Sequence, residues 1–342
     1  MKFKLPAFLA ASALLLAACN NTEEQTTSPA ADSTDTDSLS IYTTVYPIEY
    51  FTERIGGEAV SVSSIYPPGS DEHTFEPTQK DMMEMADADY LFSIGLGLEG
   101  FFSSAENTLA NQSVEIVKLA DAISDEHLIA RDPHNHGEEE ENAHSEDEHA
   151  HEEEEHANEE DGHEGHDHGE LDPHIWISPA ISIEIARAIE KKLSEAAPGE
   201  QATFEANFNE LKAELLALDA SFKEMAEQAN RDTFFVSHAA FGYWADAYNL
   251  NQVAVAGLNS QDEPSQKELA SLVDQAREQQ IAYILTEQNV SSKLTEIIRS
   301  EVGAETLQLH NLGVLTQENV DNEETYFTLM EQNLEALRTA LQ

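Results

Sequence analysis

The 342-residue chain carries 67 acidic and 17 basic residues, a formal charge of −50. A field of that sign repels phosphate, which argues against nucleic acid or an anionic membrane surface as partner and suits a cation. Nineteen of the acids fall between 131 and 172; the remainder is acidic as well, as a solvated surface in a salty or alkaline habitat would be.

At the start, Lys2 and Lys4 precede an apolar stretch, Leu5–Ala18, too short to span a bilayer comfortably. It closes on Leu16-Ala17-Ala18-Cys19. Small residues ahead of a cleavage point mark a secretory signal over 1–18. A cysteine directly after them resembles a bacterial lipobox, with Cys19 as the lipidated first residue of an extracytoplasmic protein held at the cell membrane. A cysteine standing there by chance is the alternative. Cys19 is the only cysteine, so disulfides and thiolate ligands are excluded, and a metal would have to be held by His, Glu or Asp. Residues 20–38 are rich in Ser, Thr, Asp and Glu and read as a flexible tether. No later apolar run approaches the roughly 18 residues of a membrane helix, so the rest is expected to be soluble.

From Leu39 the pattern alternates. Ser40–Val45 and Ala59–Ile65 predict strands around a helix opened by Pro47 and closed by Gly56-Gly57. A loop with proline at both ends, Pro67 to Pro77, contains Glu72 and His73. Pro77 starts a helix to about Ala86, and strands follow over Tyr90–Ile94 and Val114–Leu119. Alternation of this kind predicts a parallel sheet flanked by helices. Residues 123–170 break the pattern and predict disorder. They contain His134, His136, His144, His149, His151, His156, His163, His166 and His168 among runs of glutamate. Nine imidazoles there predict weak, multivalent metal binding rather than a merely solvated charge run.

Leu171-Asp172-Pro173-His174-Ile175-Trp176-Ile177-Ser178-Pro179 sets one histidine in an apolar frame between two prolines. Pro173 fixes its own φ and pushes Asp172 toward extended geometry. Taken alone, His174 reads as a hydrogen-bonded core residue. An amphipathic helix spans Ser178–Ala197. A longer one runs from Pro198 to about Ala229, with Phe204, Phe208, Leu211, Leu215, Leu218, Phe222 and Met225 in one stripe. At about 45 Å it is long enough to join two lobes, 39–197 and 230–342. The alternation then resumes. Strands are expected over Thr233–Ser237, Gln252–Ala256, Ile281–Thr286 and Thr306–Leu309. Helices are expected over Ala239–Tyr248, Glu263–Gln280, Ser291–Val302 and Glu323–Leu341.

Candidate ligands recur at one structural position. His73 follows the second strand, His238 the first strand of the second half, and Glu287 the third. Open α/β sheets bind ligands beyond the carboxyl ends of their strands. If two such edges face each other, His73 and His174 meet His238 and Glu287, a four-coordinate site of three imidazoles and one carboxylate suited to Zn²⁺ more than to manganese. The alternatives are a loop histidine at 73, a helix cap at 238 and a surface acid at 287. His127 and His310 lack such context and read as structural. Trp176, Phe241, Tyr243 and Trp244 read as an apolar wall that excludes water.

Gly69-Ser70-Asp71-Glu72-His73-Thr74-Phe75-Glu76-Pro77, Asp172-Pro173-His174-Ile175-Trp176, Ser237-His238-Ala239-Ala240-Phe241-Gly242-Tyr243 and Thr286-Glu287-Gln288, in this order, resemble the metal-specific solute-binding lipoproteins of ABC importers, in their zinc (ZnuA/AdcA-like) branch. The resemblance spans the mature chain and includes the histidine-rich loop. It implies an α/β fold of two parallel-sheet lobes joined by a long rigid helix, with the metal in the cleft between them. It implies His73, His174 and His238 as ligands and Glu287 in the fourth place, with Glu72 beside His73 as a possible alternative. The partner it implies is the importer's permease, approached by a monomer through its lipid anchor. A C-terminal domain found in certain relatives is not expected. Two other readings are carried. One is a zinc hydrolase using Glu287 or Glu72 as general base, although no His-Glu-x-x-His motif supports it. The other is a surface metal buffer or adhesin acting through the histidine-rich run. Because neutral imidazoles bind metal, affinity is expected to fall below about pH 6.5.

Overall fold

The computed structural model describes residues 38–130, 171–288 and 293–342. The first lobe is a four-stranded parallel sheet in the order β2-β1-β3-β4, built from β1 (Leu39–Thr43), β2 (Val60–Ser64), β3 (Tyr90–Ser93) and β4 (Glu115–Lys118). The second repeats that order as β6-β5-β7-β8, from β5 (Thr233–His238), β6 (Asn251–Ala256), β7 (Tyr283–Glu287) and β8 (Glu305–Leu309). Parallel neighbours need crossover connections, and helices supply them. In the first lobe these are α1 (Tyr46–Gly56), α2 (Gln79–Ala86) and α3 (Phe102–Leu109), with α4 (Pro179–Ala196) following the last strand. In the second they are α6 (Gly242–Tyr248), α7 (Gln266–Glu278) and α8 (Lys293–Val302), followed by α9 (Gln317–Asp321) and α10 (Tyr326–Ala340).

Local chemistry moves several boundaries from their expected places. The helix expected from Pro77 starts at Gln79, because the Thr78 side chain accepts from the Asp81 N–H in a reciprocal capping box. Ser265 and Glu268 do the same for α7, and Thr325 and Thr328 for α10. Two short helices escaped the sequence reading. In α3 only Phe102, Ala105 and Leu109 are buried, in a run otherwise rich in Ser, Asn and Thr. The five-residue α9 is set by its Thr316 cap. Residues 123–130 were expected to belong to a disordered segment and do not. Ile123 is buried, Leu128 and Ile129 pack on the core, Asp125–His127 forms a 3₁₀ turn, and Ala130 bridges to Leu171. Those three apolar side chains have something to bury, which the acidic run after them lacks. Residues 131–170, with their nine histidines, lie outside the described residues, as do residues 1–37, including the predicted signal, Cys19 and nearly all of the tether.

The long helix α5 (Gln201–Gln228) holds both lobes. Its 28 residues, at a rise of about 1.5 Å each, give a rod of about 42 Å. Toward the first lobe, Glu214 takes a two-pronged bond from Arg54, Asn207 donates to the Ile55 carbonyl, and the Arg187 guanidinium lies 3.7 Å over the Phe208 ring. Toward the second lobe, Asp219 accepts from the Tyr248 hydroxyl at 3.1 Å, and Phe222 packs on Trp244 and Tyr248 with ring centroids 5.1 and 5.5 Å apart. The tail returns to the first lobe: on α10, Tyr326 meets Phe51 edge-on and donates to the Trp176 carbonyl. One apolar core therefore runs through both lobes, and a smaller one lies behind the second sheet around Phe235, Val273 and Ile298. Phe222→Ala opens a cavity where the rod grips the second lobe and is expected to cost about 3–5 kcal/mol in urea denaturation of the metal-stripped protein. A loss below about 1 kcal/mol would show that the grip lies elsewhere. Among the described residues no helix is long and apolar enough to cross a membrane.

Candidate metal centre

In both sheets the strand order reverses between the two central strands, and that switch point is where open α/β sheets leave a crevice beyond the strand ends. In the second lobe these strands are β5 and β7. Their last residues are His238 and Glu287, so the two side chains arrive together by register. In the first lobe, His73 sits in the loop after β2. That loop is shaped by a turn in which the Pro67 carbonyl accepts from the Ser70 N–H and Gly69 takes a φ of +83°. His174 enters just ahead of the 3₁₀ turn Ile175–Ile177.

The fold brings His73, His174 and His238 together. One ring nitrogen from each lies within 4.8 Å of the others, a group able to hold a metal ion. The ring planes are inclined at 62°, 87° and 75°, so the rings converge rather than stack. Nε2 of His73 stands 3.3 Å from Nε2 of His174. Nitrogens bound at about 2.0–2.1 Å to a tetrahedral Zn²⁺ stand about 3.3–3.4 Å apart, so this pair already has the spacing of a coordination edge.

Each buried histidine is oriented from behind. Asp172 accepts both the backbone N–H of His174, at 2.9 Å, and its Nδ1, at 2.7 Å. A carboxylate accepts only, so Nδ1 carries the hydrogen and Nε2 presents a lone pair. Asp172 is held in turn: Tyr243 donates to its carbonyl, and a Cβ on Gly242 would come within 2.8 Å of its Oδ2. Only glycine leaves that space. His238 is fully buried, with Nδ1 at 3.2 and 3.1 Å from the two oxygens of Glu287 and Nε2 at 3.0 Å from the Leu258 carbonyl. Burial opposes its charged form. The charge and hydrogen bond of Glu287, with Glu72 and the Leu258 carbonyl, outweigh this and raise His238 to about 9. His73 is pushed the other way, down to about 2, by burial and by the two neighbouring imidazoles.

Glu287 is not a surface acid. It is buried, accepts from the Ser237 hydroxyl, and holds both its oxygens within 3.2 Å of His238 Nδ1, adjoining the group of three. His238 does not cap α6, which has no side-chain cap and starts four residues later than His238. Glu72 is buried, raised to about 7 by burial, and accepts a hydrogen bond from Nδ2 of Asn311. Of the expected wall, Trp176 borders His174 at 5.4 Å between ring centroids. Trp176 and Trp244 also donate to the carbonyls of Asn311 and Ile177, and so join the lobes. His127 is surface-bound to Glu184. His310 is pinned through its backbone by Asn333 and lowered to about 4 by burial; both stand outside the group. The sequence reading missed Asp172, Ser237 and Asn311 as functional partners. Only Asp172 left a signal, an acid two residues ahead of a histidine, the spacing of a side-chain turn.

Residues 41–340 match the family model described as zinc-uptake complex component A, periplasmic, ZnuA. The zinc-binding lipoprotein AdcA of Streptococcus pneumoniae serotype 4 is 34% identical over 331 residues, 95% of this chain and 58% of AdcA. The chain thus spans little more than half of that relative. The high-affinity zinc uptake system protein ZnuA of Bacillus subtilis (strain 168) is 34% identical over 333 residues, 97% of this chain and 96% of that protein. The crystal structure of the Zn(II)-bound ZnuA-like domain of S. pneumoniae AdcA superposes with a TM-score of 0.68 at 30% identity, over 89% of this chain and 99% of that domain. With a family match over nearly the whole described fold, and relatives in which the same two-lobe architecture accompanies zinc, the chain belongs to the ZnuA family of zinc-uptake components.

Proposed function

We propose that this protein captures Zn²⁺ outside the cytoplasm and delivers it to the permease of an ABC importer, working as a monomer held at the membrane by lipid on Cys19. His73, His174 and His238 bind the metal, and Glu287, the buried carboxylate on His238, takes the fourth place. The convergence of three imidazoles from two lobes, in a chain whose single cysteine lies at position 19, carries this reading. Nitrogen-rich ligation favours Zn²⁺ over manganese, which prefers oxygen. Capture rather than catalysis is supported by the two nearby acids. Glu72 is bonded to Asn311, and Glu287, held by Ser237 and His238, is in this reading taken up by the metal, so neither is poised as a general base. The names of relatives, a zinc-binding lipoprotein and a zinc uptake system protein, point the same way. The run 134–168 is assigned an auxiliary role of weak zinc collection.

Calorimetric titration with zinc and with manganese, on protein lacking 1–19 and with or without 134–168, tests the reading. One tight zinc site that survives deletion is expected, with manganese bound much more weakly. If all zinc binding left with the run, the buffer reading would replace the receptor.

A further inference from the structure

His73 belongs to the first lobe in sequence, but the second lobe holds it in place. After β8 the chain crosses over as a strap, Asn311–Leu315. The Asn311 carbonyl accepts from Trp176 Nε1 at 2.6 Å. The Gly313 carbonyl accepts from the Tyr46 N–H at 2.9 Å, at the start of α1, where no side-chain cap exists. The Leu315 carbonyl accepts from the Gly69 N–H at 2.8 Å, in the turn of the His73 loop. Leu312 is buried at a φ of +62°, a conformation that is costly for a branched side chain and is held here by these contacts.

The two residues immediately before His73 are both gripped from across the cleft. Asn311 Nδ2 donates to Glu72 Oε1 at 2.8 Å, and the Ser260 hydroxyl donates to Asp71 Oδ2 at 2.8 Å. Asp71 in turn accepts the His73 backbone N–H at 2.9 Å. The fit is close: a Cβ on Gly313 would stand 2.5 Å from Glu72 Oε1. The other two histidines need no such help. His174 is fully buried on Asp172, and His238 is fully buried between Glu287 and Leu258. The His73 ring is only half-buried and, among the described residues, hydrogen-bonds to His174 alone.

We propose that Asn311 and Ser260 are positioning residues for zinc capture, which hold the His73 imidazole on the other two through Glu72 and Asp71. His73 is then the ligand that joins last as the lobes close and leaves first as they part, so the strap sets the rate of zinc release. This rests on the receptor reading above.

The test measures zinc dissociation at pH 8 by stopped-flow trapping with a strong chelator, alongside thermal melting of each metal-stripped variant. Asn311→Asp keeps the size and the oxygen that accepts from the Gly313 N–H, but it sets an acceptor against Glu72. Release is expected to quicken by about ten- to hundredfold, the usual range for groups that orient a ligand. Adding Glu72→Gln exchanges donor and acceptor and is expected to recover most of the loss. Ser260→Ala, a milder change that tests the second grip without disturbing the strap, is expected to quicken release severalfold. In a His73→Ala background, neither Asn311→Asp nor Ser260→Ala should change the rate further, whereas a merely structural role would leave their effects in place. Unchanged release in Asn311→Asp and Ser260→Ala overturns the proposal. So does a double variant worse than Asn311→Asp alone, which would mean that the Glu72 carboxylate touches the metal itself. Tight zinc binding by the parent with either of those results overturns the positioning alone; no tight binding by the parent overturns the receptor reading as well.

Discussion

Replacing His174 by alanine lowers zinc affinity by about a hundred- to thousandfold, while removing residues 134–168 leaves the tight site in place. Closed protein zinc sites bind with about 10–16 kcal/mol, so one ligand of four is worth about 3–4 kcal/mol, and each 1.4 kcal/mol is a factor of ten. His174 is the best prepared of the three. It is fully buried, Asp172 fixes its tautomer, and its Nε2 already stands at coordination spacing from His73. The alanine variant also strands the buried Asp172 carboxylate without its ring partner, so some loss of fold stability accompanies the loss of affinity. Competition against a chromophoric chelator, with a melting curve as control, reads the effect. Equal losses from His174→Ala and from deletion of 134–168 would contradict the division between a tight site and an auxiliary run.

Zinc affinity rises with pH up to about 9, approaching about tenfold per unit below that value, with about one proton released per metal near pH 7.5. The cause is His238. Its two ring nitrogens face acceptors only, the Glu287 carboxylate and the Leu258 carbonyl, so both carry hydrogen and the ring is an imidazolium. Its raised value, about 9 against an ordinary 6.5, reports the same arrangement. Binding a cation through that ring must expel a proton. Affinity therefore weakens as pH falls below about 9, well above the pH 6.5 expected for an ordinary histidine. His73, held near 2, is neutral throughout and adds no slope in this range. Fold stability runs the opposite way. A raised histidine stabilises the fold fully below 6.5 and loses that contribution as pH rises through 9, so the metal-stripped protein weakens over the window in which it binds zinc best. Calorimetry in two buffers of different ionisation heat counts the proton. Glu287→Gln, which removes the charge that sustains the imidazolium, is expected to flatten the slope. An affinity independent of pH between 7 and 9 would show that His238 binds without losing a proton.

How much of this was legible in the sequence follows from where each interaction lies along the chain. Strands such as Tyr90–Ser93 and helices such as Pro179–Ala196 are local matters of apolar period, proline and caps, and they were readable. The candidate histidines were readable too, because strand ends and a proline-framed turn mark positions without knowledge of partners. Boundaries slipped where a cap outvoted a proline, as Thr78 did over Pro77, since a capping box is decided by two side chains meeting. The disordered segment was expected to begin too early, at 123, for a related reason: Leu128 and Ile129 find a core that their acidic neighbours conceal.

By itself, then, the sequence determined the class of chemistry: an acidic chain with a single cysteine and isolated histidines after strands and beside prolines, suited to a divalent cation held by nitrogen and oxygen. Only the tertiary structure decided which groups touch. Glu287 and Glu72 look alike in sequence, each an acid beside or near a histidine. Glu287 is carried onto His238 by the β5–β7 register, and Glu72 is drawn onto Asn311, 239 residues away. The spacing of His73 to the other rings depends on a strap from the opposite lobe. Such contacts are fixed when the whole core closes and buries polar groups that must then find partners, and no local pattern in the chain encodes them.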